Sequence, residues 1–109
     1  MAATDELDRL YFEVLAQPGF IRLSPQYLFE LIDSCLTRNT MVHTVEAFEL
    51  AGDCEIARPD LSLYGPNEKL LGQSWNSRVS ASCNEAREVG QEAIAAGKEF
   101  LFLVWLDKE

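Results

Sequence analysis

Phe100-Leu101-Phe102-Leu103-Val104-Trp105-Leu106 is the stretch whose reading decides the fold. Side chains alternate across a strand, so Phe100, Phe102, Val104 and Leu106 fall on one face and Leu101, Leu103 and Trp105 on the other. Both faces are apolar, which marks a strand covered on both sides. The residues before it supply helices to provide that cover. Ser74 is a helix cap, and after it Trp75, Val79, Ser82, Ala86, Val89 and Ala93 recur at alternating steps of four and three, until Gly97 closes the element. Small residues dominate this stripe and Gly90 adds to them, so the helix can lie close to its neighbour, most simply a sheet.

Further upstream, Ser24-Pro25 opens another helix: a cap, then a proline at the first helical position, where its missing N–H does no harm. Tyr27, Leu28, Leu31, Ile32, Cys35 and Leu36 line one side, and Asn39 suits the left-handed position past the end. Thr4 is expected to cap a first helix, with Asp5 and Glu6 at the positive end of its dipole. Its apolar face is Leu7, Leu10, Tyr11, Val14 and Leu15, and Pro18-Gly19 stops it. Between the second and third helices, Val42, Thr44, Val45 and Phe48 favour a strand, although Glu46 and Glu49 break strict alternation. A strand is expected over 42–50, then a turn at Gly52-Asp53 and a short return from Cys54 to Ala57. Arg58 to Gly72 reads as a loop with a brief extended piece at Leu61 to Tyr64. The expected architecture is one α+β domain over residues 1–109: a small sheet with three helices packed on it and the C-terminal strand at its centre.

Composition excludes several classes of function. Eighteen acidic residues against nine basic ones leave a net charge of -9, which repels nucleic-acid phosphates and anionic lipid, so neither nucleic acid nor membrane is an expected partner. The longest apolar run is seven residues, far below the roughly 20 needed to cross a bilayer as a helix. The acidic first residues lack the basic start and apolar core of a secretory signal, so export by that route is not expected. Cys35, Cys54 and Cys83 are odd in number and widely spaced, which suggests neither a disulfide framework nor a zinc site; a reduced cytoplasm fits them. Cys35 and Cys83 fall on apolar helix faces, where cysteine acts as a small hydrophobe.

Little in the chain points to catalysis. His43 is the sole histidine, so no histidine pair for a metal exists, and a Cys35–His43 nucleophilic site would rest on the two residue types alone. No glycine spacing makes a phosphate-binding loop. Paired carboxylates are common by chance in so acidic a chain, and acid–base work needs one buried with a raised pKa. A non-enzymatic protein without metal or cofactor is the expectation.

What remains is the distribution of charge. Glu46, Glu49, Asp53 and Glu55 lie in a stretch without lysine or arginine, and Asp60 follows just after Arg58. One side of the expected hairpin would then be strongly negative, with Tyr64 and Trp75 as aromatic anchors beside it, the mixture that protein interfaces favour. Against this stand two plainer readings: the charge serves solubility, and Trp75 starts a core stripe while Tyr64 covers a sheet edge.

The helix from Ser24 to Asn39, the segment Val45-Glu-Ala-Phe-Glu-Leu-Ala-Gly-Asp53, the loop ending Tyr64-Gly-Pro-Asn67, and Gly72-Gln-Ser-Trp-Asn-Ser-Arg-Val79 before the helix leading into Phe100-Leu-Phe-Leu-Val104 resemble, over roughly residues 24 to 106, small immunity proteins of bacterial polymorphic-toxin and contact-dependent inhibition systems. Ala51-Gly52 stands where a glycine pair would follow the first strand. The resemblance implies a protein that binds and blocks the effector domain of a toxin made beside it, many of which are nucleases with basic sites. The alternative is a small acidic secretion chaperone or adaptor, which would use exposed apolar surface and form a dimer. Sequence leaves monomer or dimer open.

Overall fold

The computed structural model describes residues 2–65 and 71–109, with side chains from Asp8 onward. Leu7 of the first stripe and the Pro66-Asn67 part of the loop lie outside them. Among these residues three helices and three strands follow in the order α1 (Ala2–Ala16), α2 (Pro25–Thr37), β1 (Met41–Ala51), β2 (Cys54–Ala57), α3 (Trp75–Ala95) and β3 (Phe100–Asp107), with a 3-10 turn at Pro59–Leu61 after β2. The fold is α+β, as expected.

The caps explain the helix bounds. Ser24 Oγ accepts from the Tyr27 N–H at 3.4 Å and Ser74 Oγ from the Ser77 N–H at 3.2 Å, satisfying backbone donors that the first turn leaves free. Asn39 takes φ 55 after α2, the left-handed geometry that asparagine tolerates. Helix α1 differs from expectation. It starts at Ala2, ahead of Thr4, because Ala2 and Ala3 are strong helix formers and extend it by a half-turn.

The sheet has the order β2-β1-β3, all antiparallel. The centre is therefore β1 and not the C-terminal strand, a correction with a simple cause. β1 is the longest strand; the turn at residues 52 and 53 folds β2 back onto one of its edges, and the crossover through α3 delivers β3 to the other. Leu23 bridges the outer side of β3 at Phe102, and Leu63 continues the β2 edge by bridging Val45. His43 is the extra residue of a bulge in β1, between the pairs Val42–Leu106 and Thr44–Trp105.

A single cluster forms the core. Val45 and Ala47 of β1 and Phe100, Phe102 and Val104 of β3 meet Leu28, Leu31, Ile32 and Cys35 of α2, Val79, Cys83, Ala86 and Ala93 of α3, and Tyr11 and Val14 of α1. Helix α1 is fixed by a buried hydrogen bond of 2.6 Å between the Tyr11 hydroxyl and Thr40, and α3 by Ser82 Oγ, which accepts the Val42 N–H at 3.1 Å. The small-residue stripe of α3 meets more than the sheet: Gly90 faces α2, where an added Cβ would lie 2.7 Å from the Phe29 ring. All three helices thus send their buried residues into the same layer.

Two predictions follow from this packing. Gly19 has φ 78, and its missing Cβ would lie 2.3 Å from Trp105. Gly19→Ala should lower stability by about 2 kcal/mol through left-handed strain and overpacking, read by thermal denaturation, and should alter the tryptophan emission. Burial pushes the Cys35 thiol far above its usual range and that of Cys83 up to about 11. A thiol reagent near neutral pH should label exposed Cys54 in the native protein and reach Cys35 and Cys83 only after unfolding, as mass spectrometry would show.

Candidate binding face of the sheet

The strand pairing divides the sheet into two faces. Val45–Val104, Ala47–Phe102 and Glu49–Phe100 point to the helices; Thr44–Trp105, Glu46–Leu103 and Phe48–Leu101 point the other way. Leu50 joins the second set from the end of β1. Phe48, Leu50, Leu101, Leu103 and Trp105 are half-buried and none is packed against the core cluster. The sequence expectation of a last strand covered on both sides is corrected here. The helices pack on one another as one layer, α1 on α2 and α2 on α3, so only one face of the sheet receives them.

The same alternation puts Arg22 on the far face beyond β3, since Leu23 pairs with Phe102 on the near one, while Phe20 lies in the turn before it. Tyr64 belongs to the far face beyond β1, because Leu63 pairs with Val45. Phe20 is 77% exposed and Tyr64 55% exposed. Tyr64 beyond β1 and Trp105 on β3 thus set aromatic groups on either side of Phe48 and the leucines, the composition of a protein-binding surface.

Two polar features complete the face. Arg22 Nε and Nη2 donate to the two oxygens of Glu55 at 2.8 and 2.9 Å, a bidentate pair. Arg22 comes from one edge of the sheet and Glu55 from β2 at the other, so the pair ties the two edges together. Glu46, by contrast, stands opposite Leu103 and between Thr44 and Phe48 on its own strand, with no hydrogen-bond or ion partner among the described residues.

The carboxylates expected to form one negative patch are spread over several surfaces. Three residues separate Glu46 from Glu49, which sends them to opposite faces of the strand. Glu49 is nearly buried and bound by Arg58 at 2.5 Å and Lys98 at 3.4 Å. Asp60 accepts two hydrogen bonds from the same Arg58, at 3.0 and 2.9 Å. Glu55 is paired with Arg22, and Asp53 is exposed in the turn between β1 and β2. Trp75 packs against the core, its Nε1–H donating to the Asn39 carbonyl at 2.7 Å under the Arg78 guanidinium. Of the seven expected residues, Glu46, Glu55 and Tyr64 share the far face. Phe48, Leu101, Leu103 and Trp105, half-buried on the face that the helices leave uncovered, were missed, because an apolar strand with one face clear of the helices carries the same residue pattern as one buried on both sides.

Hydrogen bonds from Arg22 hold the Glu55 carboxyl, and those from Arg58 the Asp60 carboxyl, below their ordinary range. An open groove of about 310 Å³ between α2 and α3 is lined by Phe29, Arg87, Gln91 and Ile94, with Arg87 paired to Asp33 at 2.7 Å. No group of three or more potential metal ligands occurs among the described residues, and no described helix is long and apolar enough to cross a membrane. Comparison with known protein-family models and with curated proteins gives no match for this chain.

The lowered carboxyls set a pH dependence. Glu55 and Asp60 ionise more readily folded than unfolded, so their contribution is full above the ordinary carboxylate range, about pH 4, and is lost as pH falls through the lowered folded values. Melting temperature should drop on acidification through that window. Arg22→Gln and Arg58→Gln should each start less stable and fall less steeply.

Proposed function

We propose that the chain is a non-enzymatic binding protein of the immunity type, which occupies a toxin effector domain in the cytoplasm through the far face of its sheet and blocks it. The observation that carries this reading is the leucine-rich face with aromatic margins, which the helices leave unpartnered. Apolar surface gathered on one side of a small protein is the ordinary sign of a protein-interaction site. The net charge of -9 adds the field that would draw a basic effector such as a nuclease, raising the rate of encounter. The paired state of Glu49, Glu55 and Asp60 moves the binding energy in this proposal from an acidic patch to apolar contact, with charge serving approach.

The same apolar face favours a second reading, a secretion chaperone or adaptor that holds a client segment. The two part on oligomeric state: a chaperone of that kind is a dimer, an inhibitor a one-to-one complex.

Co-expression with the effector domain encoded beside it tests the first reading. The wild-type chain should restore growth, and Leu103→Asp should abolish the rescue and weaken the purified complex by about 30-fold or more. Glu88→Ala, on the solvent side of α3, should behave as wild type. Full rescue by the Leu103→Asp protein would reject this face as the binding surface.

A further inference from the structure

We infer that the occupant of the far face is a protein segment that sets an arginine or lysine against Glu46, flanked by apolar side chains seated on Leu103 and Phe48. The inference rests on the proposed binding role of this face and adds the chemistry of what binds there.

Its basis is the contrast among the carboxylates. Glu49, Glu55 and Asp60 on or beside the hairpin each have an arginine of this chain within hydrogen-bond distance. Glu46 has none among the described residues, although it is half-buried, directly opposite Leu103 and next to Phe48 on its own strand. In the free protein its exposed side is open to water, which solvates the charge. A partner that covers Phe48 and Leu103 removes that water, and a carboxylate left unpaired in such surroundings opposes binding strongly. Occupancy by an apolar segment is favourable only if the segment brings the missing cation. The other charged pair of the face cannot supply it, because both Arg22 nitrogens that face Glu55 are already committed to its two oxygens.

Charge also decides among occupants. A second copy of the chain would bring another net -9 and another unpaired Glu46 to the contact, and lipid or nucleic acid would bring phosphate. A cationic and apolar protein segment is the chemistry that both the local and the overall charge accept. Glu46 then acts as a selectivity device: it admits segments with a cation in register and rejects those with a neutral or acidic group there.

A displayed library of random 12-residue peptides, selected on the full-length protein and counter-selected on Leu103→Asp, tests this. Circular dichroism and thermal melts first establish that the variants fold. Recovered peptides should carry a lysine or arginine flanked by apolar residues and should bind Glu46→Gln about tenfold more weakly than wild type. Selection on Glu46→Lys should return peptides with an acidic residue instead. Peptides that need Leu103 but lack a cation, or that bind Glu46→Gln as well as wild type, would overturn the inference while leaving the face as a binding site. Recovery of no peptide that distinguishes wild type from Leu103→Asp would overturn both, as would a dimer in sedimentation that Leu103→Asp dissolves.

Discussion

The antiparallel pairing of β1 with β3 is the constraint on which the rest depends. Val45 and Ala47 meet Val104 and Phe102 in the core, and the register that brings them there also sends Glu46, Phe48, Leu101 and Leu103 outward as a set. A shift by one residue would exchange the faces, placing Glu46 among the buried groups of α2 and α3. Core and surface are thus fixed by one choice of register. The bulge at His43 limits the consequences at the other end, where Val42 and Leu106 still reach the core.

Around this ladder, ion pairs hold pieces that hydrophobic contact alone would leave loose. Arg58 joins the segment after β2 to Glu49 on β1, and Lys98 joins the turn before β3 to the same carboxylate. Arg38 at the end of α2 bonds Asp8 and lies over the Tyr11 and Phe12 rings, tying α1 to the helix layer. Most of the basic residues that the structure shows in ion pairs are spent on such internal work, which leaves the acidic excess outside.

Local signals were legible in the sequence because local physics decides them. Ser24-Pro25, Asn39, Ser74 and Gly97 act within one turn of their own position, and the helix ends fall where they direct. The strand over 42–50 was legible from its β-branched residues despite the two glutamates that interrupt it, since one points inward to an arginine and the other outward. The order of strands and the face that the helices leave uncovered were not legible. Both depend on where the helices settle, and an all-apolar strand looks the same whether or not its second face meets a helix of its own chain. The expected negative patch failed for a related reason: Arg22 and Arg58 are distant from, or only incidentally near, their carboxylates in sequence, and folding neutralises what composition counts as charge.

β2 is four residues long and has a proline two residues past its end, while the opposite margin of the sheet is occupied by the bridge at Leu23. Strand-by-strand growth into fibrils needs a long free ladder of backbone donors and acceptors, and a four-residue edge on one side and a bridged one on the other shorten it. The leucine-rich face can therefore lie clear of the helices without seeding polymerisation, because its apolar side chains and the free backbone groups of the edges are kept on separate parts of the molecule.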